Sequence, residues 1–323
     1  MTMPFGGAPT DADGIPHLHP PAGTPFGWLA DAAPWVKNLL PVHGAVLVHG
    51  LPIRRAADLA EARQALGVRP YTTTEVFAHR RNLGDGVLSP IRWPHDRVLC
   101  PYQEEAFSTV FPGTVLTACV APPEHGGQAH LSDARRLTAH LPTGLVARAR
   151  ADGWSMTRVF HDRFGMPWQE AFAVADPDQL SEVLTAEGIE HRWSSEGALR
   201  TVRRRPAMIT HPVTGEECWF NQIAFLNAGS LEPCERALLV EAFGPDLPVD
   251  TAFGDGTPLS EEELAFLHSA YDATTLAIPW AAGDLLITGN ILMALGRSPG
   301  APELLITLGD PMDPQLDRSG DTA

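Results

Sequence analysis

Apolar residues in this chain fall into short continuous runs, separated by stretches rich in glycine and proline. Runs of this length between turn-forming residues are typical of buried strands. They predict strands at residues 45–48, 115–120, 218–220, 284–288 and 304–308, and a strand pair within residues 198–208. The two late runs, 284–288 and 304–308, are joined by a glycine-rich link whose one basic residue is Arg297.

Helical periodicity is confined to a few segments. Apolar residues at helical spacing predict helices at residues 26–40, 56–66, 134–140, 178–187 and 260–270. Ser260, followed three residues later by Glu263, forms a capping box, which marks the start of the last of these helices. Many short strands and few long helices favour an α+β protein, a jelly-roll-like barrel with helices packed outside it.

The ends of the chain lack the periodicity of its middle. Residues 1–25 are rich in Pro, Gly and His and predict a mobile N-terminal arm, and residues 310–323 are polar and predict a frayed tail. The segment between them, residues 26–309, is long enough for one large domain. His17 and His19 in the arm offer weak metal ligands, but we favour a solvated tail there.

The amino-acid composition limits the classes of binding partner and the cellular compartment that we expect. The 323 residues carry a formal net charge of −16, which argues against nucleic acid and anionic membranes as partners. No apolar window is long enough to span a membrane, and the N-terminus has no signal-peptide pattern. The four Cys have no C-x-x-C spacing, so we expect reduced thiols in a cytoplasmic protein. No exposed apolar stripe indicates an oligomeric state.

The residue pattern around the late strand pair resembles a known sequence motif. The matching residues are Trp280, Gly283, Asp284, Asn290, Gly296, Arg297 and Gly300. Further matching phrases are P-P-x-x-G-G at 122–127, D-x-R at 133–135, H-P-x-T-G-E and W-F-N-Q within 211–222, and G-D-G at 254–256. Together they resemble the TauD/TfdA-like superfamily of iron(II)/2-oxoglutarate dioxygenases, typified by taurine dioxygenase and clavaminate synthase. The resemblance covers residues 26–308 and is greatest with the branch found in natural-product biosynthesis.

The resemblance implies a double-stranded β-helix (jelly-roll) fold with flanking helices and a metal site inside it. In the family, two His and one carboxylate bind iron and leave open positions for 2-oxoglutarate and oxygen. The first His and the carboxylate form H-x-[DE], and residues two apart on a strand face the same side. By the resemblance, Tyr102 stands at the first His, Glu104 at the carboxylate and Leu295 at the distal His.

The cosubstrate positions also depart from the family pattern. Ala129 stands where the family has a Thr that contacts 2-oxoglutarate, and Pro302 where it has an Arg that pairs with the far carboxylate. Only Glu104 survives of these five positions, so we expect a protein without metal, iron or other cofactor. The alternative is an iron(II)/2-oxoglutarate site rebuilt from Tyr102, Glu104 and His130, although strand alternation predicts that His130 faces away from Ala129.

The polar residues left near the old site are the candidates for chemistry. A carboxyl in an apolar cavity suits acid–base work, which makes Glu104 a candidate acid or base, and Tyr102 a candidate hydrogen-bond donor to an oxyanion. Alternatively, Tyr102 fills the space of the missing ligand and bonds Glu104. The candidate substrate contacts are Arg297, Asn221, His130 and Trp219. The alternative role for Arg297 is a salt bridge at the barrel mouth. The alternative role for Asn221 is stabilisation of a turn.

Three functions remain open on this sequence. The first is a cofactor-independent enzyme of a natural-product pathway, catalysing elimination, isomerisation, cyclisation or hydrolysis with Glu104. The second is an iron(II)/2-oxoglutarate oxygenase with a rebuilt site, and the third is a non-catalytic protein that binds a ligand or a partner. The substrate would be a small molecule, amino-acid-derived or tethered to a carrier. The run Arg203–Arg205 is either a solvated face or a docking patch for such a carrier.

Overall fold

The computed structural model describes residues 14–161 and 164–314 of the 323-residue chain. The strands in chain order are β1 (His17–Leu18), β2 (Ala45–Val48), β3 (Asn82–Gly84), β4 (Val87–Leu88), β5 (Leu99–Tyr102), β6 (Phe111–Ala121), β7 (Ala129–Asp133), β8 (Trp154–Phe160), β9 (Glu190–Trp193), β10 (Leu199–Arg205), β11 (Met208–Thr210), β12 (Glu217–Trp219), β13 (Val249–Phe253), β14 (Thr275–Ile278), β15 (Leu285–Gly289), β16 (Met293–Arg297) and β17 (Glu303–Met312). The helices are α1 (Gly27–His43), α2 (Ala56–Ala65), α3 (Ala134–Leu137), α4 (Thr143–Asp152), α5 (Trp168–Phe172), α6 (Pro177–Ala186), α7 (Ile223–Leu226), α8 (Pro233–Phe243) and α9 (Glu261–Thr274), with single 3₁₀ turns at Thr138–His140 and Ala228–Ser230. None of the helices in the described ranges is both long enough and apolar enough to cross a bilayer.

Two sheets form the barrel. The larger has seven strands in the order β1-β2-β15-β6-β17-β4-β3, and the smaller has four in the order β14-β7-β16-β5. Their facing residues pack into one apolar layer, to which Leu47 and Leu286 contribute from the larger sheet and Leu131 and Met293 from the smaller. This layer is the core of the barrel, and the predicted jelly-roll with flanking helices is confirmed.

Helices cover the outer faces of both sheets. The outward residues of the larger sheet, such as Val46 and Leu285, pack with Leu29 of α1 and Leu59 of α2. The outward face of the smaller sheet packs through Ala294 with Leu267 and other residues of α9. Because both sheets are covered, their strands read as continuous apolar runs rather than as alternating ones.

A third sheet lies beside the barrel and holds a buried ion cluster. Its four strands run β13-β8-β10-β9. Glu75 is 2% exposed and bonds both Arg158 of β8 and Arg203 of β10. Arg204 pairs with Glu190 on the outer face, and Arg205 donates to the carbonyl of Glu187. Alternation along β10 buries Arg203, so the prediction of a solvated face at residues 203–205 is wrong for Arg203 and agrees with the exposed Arg204. Docking of a carrier there stays a prediction.

Several predicted elements agree with the structure and four differ. The strand pair predicted within residues 198–208 does not form, because β10 pairs with β8 and β9 and β11 pairs with β12. The tail predicted from residue 310 begins inside β17, which ends at Met312. Ser260 and Glu263 exchange the hydrogen bonds of the capping box, from Ser260 N to Glu263 Oε2 at 2.8 Å and from Glu263 N to Ser260 Oγ at 3.1 Å. The glycine-rich link after residue 288 contains a strand, β16, which the sequence did not reveal because Gly296 and Ala294 weaken its pattern. Residues 17–18, predicted as arm, form β1 and pair in parallel with β2. Residues 1–13 and 315–323 lie outside the described ranges, and the domain bounds stay a prediction.

Two motif glycines serve a close backbone approach next to β7. Gly126 has φ +61°, and a Cβ there would lie 2.0 Å from the carbonyl oxygen of Pro299. A Cβ on Gly300, with φ +143°, would lie 2.2 Å from the Gly127 nitrogen. The Gly127 N–H donates to the Pro299 carbonyl at 2.6 Å. These glycines let the loop after β16 lie directly on the turn before β7, at the mouth of the barrel.

We expect Glu75→Gln to lower the free energy of unfolding by about 3–5 kcal/mol, because two buried guanidinium groups lose their counter-charge. The matched control is Glu190→Gln in the same sheet, whose exposed pair with Arg204 should change stability by at most about 1 kcal/mol. Urea denaturation of the two variants measures both values. Equal effects would contradict a stabilising role for the buried cluster.

Candidate active-site cavity

A cavity of about 690 Å³ opens between the two barrel sheets. The positions that the resemblance assigned to iron and cosubstrate, Tyr102, Glu104, Ala129, Leu295 and Pro302, all line it. Strand pairing explains this convergence, because Leu295 of β16 lies opposite both Tyr102 of β5 and Leu131 of β7. The residues singled out from sequence order are therefore neighbours in space.

The floor of the cavity holds a carboxylate that is already paired. Arg80 donates to Glu104 Oε1 at 2.6 Å and to the Tyr102 hydroxyl oxygen at 3.1 Å. The Tyr102 hydroxyl in turn donates to Glu104 Oε1 at 3.2 Å. Glu104 and Tyr102 are 6% and 7% exposed, so this is a buried three-residue network. Sequence reasoning missed Arg80, which lies in an irregular segment with no motif around it.

Burial and the pairing of Arg80 with Glu104 determine which groups of this network carry a proton. Burial raises the pKa of Tyr102 and the Glu104 charge raises it further, so the phenol keeps its proton. Burial acts to lower the pKa of Arg80, but Glu104 outweighs it and the pKa is raised overall. A protonated phenol and a guanidinium therefore both direct hydrogens toward one carboxylate oxygen.

Asn290 fixes the backbone that presents Glu104. Its Oδ1 accepts from the Glu104 N–H at 2.8 Å, and its Nδ2 donates to the Glu104 and Pro112 carbonyls, each at 2.8 Å. Asn290 is 2% exposed and belongs to the phrase that carried the resemblance. The motif asparagine therefore holds the segment after β5 against the start of β6.

A smaller cavity of about 250 Å³ lies behind the floor, and Tyr102 and Glu104 line both cavities. The Tyr102 ring stacks on Phe225, with centroids 4.4 Å apart and planes 10° from parallel. Tyr102 therefore fills the space at the position aligned with the family's first His, and its hydroxyl bonds Glu104. This agrees with the second of the two roles considered for Tyr102 in the sequence.

Glu105 is another carboxyl at the smaller cavity, beside Glu75 and Glu104. It is 9% exposed, has φ +52°, and accepts a hydrogen bond from the Tyr71 hydroxyl at 2.6 Å. Burial raises the pKa of Glu105 to about 7, against the bond from Tyr71, which lowers it. The side chain therefore changes charge near neutral pH, which its place beside Glu104 in the sequence did not reveal.

The structure separates the four predicted substrate contacts. Arg297 lines the large cavity, but its guanidinium already donates to the carbonyls of Ser298, Gly300 and Pro94. His130 is half-buried on the side of β7 opposite to Ala129, as alternation predicted, and burial lowers its pKa.

Asn221 and Trp219 lie in the core and do not line the large cavity. The Asn221 amide donates to the carbonyl of Ala207 at 2.9 Å, and its oxygen accepts from Ile223 N at 3.1 Å. Trp219 is 1% exposed in the cluster beneath α9. The placement of these two residues at the substrate is therefore not supported, because their phrase forms a buried turn that packs the barrel wall.

The donor set on the cavity floor does not fit the family's iron. Leu295 has no donor atom, Tyr102 is a protonated phenol, and Glu104 is engaged by Arg80. Elsewhere His17, His19 and His49 each place one ligand atom within 4.8 Å of the others. Within residues 14–161 and 164–314, this is the one group of three or more His, Cys, Asp or Glu that is close enough to share an ion.

We expect Glu105→Gln to change how stability depends on pH. The folded pKa is raised, so the native state binds the proton more tightly than the unfolded chain; the resulting stabilisation is present below about pH 4.5 and lost as pH rises through 7. The amide cannot ionise, so wild type should lose up to about 3 kcal/mol relative to the variant between pH 4.5 and 7.5. Urea denaturation at both pH values measures this, and parallel curves would contradict it.

Comparison with known proteins gives the family of this chain. The profile described as taurine catabolism dioxygenase TauD, TfdA family, matches residues 20–303. The dapdiamide synthesis protein DdaC of Enterobacter agglomerans is 28% identical over 287 residues, covering 88% of this chain and 87% of DdaC. A clavaminate synthase-like protein of Arabidopsis thaliana is 24% identical over 280 residues, covering 83% and 81% of the two chains.

Solved structures share the fold at low identity. PvcB of Pseudomonas aeruginosa, an Fe, α-ketoglutarate-dependent oxygenase from an isonitrile synthetic pathway, superposes with a TM-score of 0.53 and 15% identity, covering 94% of this chain and 89% of PvcB. An asparagine oxygenase bound to Fe(II), 3-hydroxyasparagine and succinate gives a TM-score of 0.52 at 16% identity, covering 87% and 79%.

These findings correct the prediction of a protein without metal or cofactor. The family is one of dioxygenases, its solved neighbours include enzymes that depend on Fe(II) and α-ketoglutarate (2-oxoglutarate), and three His in this chain converge. The prediction rested on five aligned positions and gave too little weight to His17 and His19, which it assigned to a solvated tail. With residues 20–303 matched to the family profile, the chain belongs to the TauD/TfdA family.

Proposed function

We propose that the protein is an iron(II)- and 2-oxoglutarate-dependent oxygenase of small-molecule biosynthesis whose metal ligands differ from those of its family. The observation that carries the proposal is the cavity of about 690 Å³ on which the aligned family positions converge. Two relatives named for biosynthetic pathways, DdaC and PvcB, support the substrate class, an amino-acid-derived small molecule.

The charges around the cavity favour an anionic substrate. The guanidinium groups of Arg81 and Arg92 lie at its exposed rim beside Arg297, against one rim carboxylate, Glu303. The carboxylate on the floor is neutralised by Arg80, so it does not repel an anion entering from the rim. An amino-acid-derived carboxylate would therefore bind with its charge at the rim and its apolar part toward Leu295 and Trp280.

The residues of the cavity orient the substrate and handle its protons. Tyr102 and Arg80 both bind Glu104, so the carboxylate is held in one position with its second oxygen left to accept from a substrate donor. We assign Glu104 and Tyr102 as the catalytic pair at the substrate. Iron and 2-oxoglutarate, when bound, supply the oxidising power of the family, and the floor set of Tyr102, Glu104 and Leu295 is not the set that holds them.

An anaerobic titration with iron(II) and 2-oxoglutarate tests the proposal directly. We expect the visible charge-transfer band of metal-chelated 2-oxoglutarate and, after oxygen is admitted with an amino-acid-derived substrate, succinate in proportion to product. A chelator should stop both. Saturable binding of the substrate without consumption of 2-oxoglutarate would instead identify a ligand-binding protein and contradict the proposal.

Replacing the floor carboxylate tests its role separately. Glu104→Gln should lower turnover by about 10²-fold or more, because the amide cannot accept a proton. The amide oxygen can still accept from Arg80, but the buried guanidinium loses its counter-charge, so turnover is compared under conditions where urea denaturation shows that the variant is folded. Glu303→Gln, which removes an exposed carboxylate from the rim of the same cavity, is the matched control and should leave turnover near wild type. Full activity of Glu104→Gln would remove Glu104 from the catalytic pair.

A further inference from the structure

The edge of the seven-stranded sheet brings together imidazoles from two segments that are distant in sequence. His17, in β1, and His19, directly after it, belong to an H-x-H phrase whose extended backbone places both side chains on the same side. The parallel pairing of His17 with Leu47, and the bond from His49 N to Leu18 O at 2.9 Å, place His49 beside both. The three rings are therefore positioned by backbone pairing between β1 and β2 and not by a chance contact between loops.

The distances between these rings suit ligands of one metal ion. Imidazole nitrogens that share a metal at 2.0–2.1 Å lie about 3.0–3.4 Å from one another. His17 Nδ1 and His49 Nε2 are hydrogen-bonded at 3.0 Å, and one nitrogen of each of the three rings lies within 4.8 Å of the others. The His19 and His49 rings are stacked, with centroids 4.5 Å apart, and His19 is exposed. Stacked rings cannot direct their in-plane lone pairs at one ion, so the exposed His19 ring must leave the stack to complete the set.

Asp284 orients His49 for this role. Its Oδ1 lies 2.8 Å from His49 Nδ1, and its Oδ2 accepts from the Ala281 N–H at 2.8 Å. Asp284 is 1% exposed, so the carboxylate cannot swing away. Because a carboxylate only accepts, neutral His49 carries its proton on Nδ1 and directs the lone pair of Nε2 toward His17 and His19. Carboxylate–histidine pairs of this kind hold metal ligands in many proteins.

We propose that His17, His19 and His49 form a binding site for a divalent first-row transition metal, with Asp284 as the positioning residue. Three imidazoles suit iron, cobalt, nickel, copper or zinc, and exclude magnesium and calcium as preferred ions. The exposure of His19 leaves room for water or another ligand at the metal, as in three-ligand sites with an open position. The site lies outside the lining of the large cavity, to which it is joined by the turn from Trp280 to Asp284.

Metal binding by the whole chain, measured without 2-oxoglutarate or substrate, tests the site. Calorimetry with cobalt(II) and with zinc(II) should give one equivalent bound to wild type. His19→Ala and His49→Ala should each weaken that binding by at least 100-fold, and Asp284→Asn by about 10–100-fold. His125→Ala, which removes another exposed imidazole, should bind as wild type does. The visible spectrum of the cobalt complex should be lost with His49.

His19 is exposed, so His19→Ala tests the ligand without risk to the fold. Wild-type affinity in His19→Ala and His49→Ala, or no binding by wild type, would overturn the site. Turnover distinguishes this inference from the proposed oxygenase. If metal binds stoichiometrically at these His but no 2-oxoglutarate is consumed, the metal site is supported and the proposed oxygenase is contradicted. If the His49→Ala variant still binds one equivalent of metal and consumes 2-oxoglutarate, the metal site is overturned and the oxygenase is supported.

Discussion

The geometry of the cavity depends on one side chain, Asn290. Its amide bonds the Glu104 backbone on both its N–H and its carbonyl and also bonds the carbonyl of Pro112, which ties the end of β5 to the start of β6. The three hydrogen bonds are buried away from water, and the loss of any one of them would cost about 1–3 kcal/mol. Glu104, its pairing with Arg80 and the placement of Tyr102 opposite Leu295 all follow from that fixed backbone.

The barrel has the shape of the family, and the carboxylate on its floor is paired within the protein. Glu104 accepts from the guanidinium of Arg80, and the phenol of Tyr102 occupies the adjoining space. The three imidazoles at the sheet edge, backed by Asp284, offer the donor chemistry that the floor lacks.

The sequence predicted the central strands of the larger sheet, β2, β15, β6 and β17, because that sheet is covered on both faces and strands such as Ala45–Val48 read as unbroken apolar runs. It did not predict β14 and β16 of the smaller sheet. It also identified Tyr102, Glu104 and Leu295 as neighbours, through motif order. Arg80 could not be found, since nothing local marks a side chain that reaches Glu104 across 24 positions. β16 was hidden by its small residues, and the core positions of Asn221 and Trp219 depend on packing that no local pattern encodes.

The partition between the two cavities is made of side chains rather than backbone. Tyr102, stacked on Phe225 and bonded to Glu104, separates about 690 Å³ from about 250 Å³. A short molecule would end against the phenol ring, and a longer homologue would need the ring to leave Phe225, at a cost of about 0.5–1.5 kcal/mol for the aromatic contact. The protein would thus limit the length of its ligands with an aromatic stack, which a change at residue 225 would loosen.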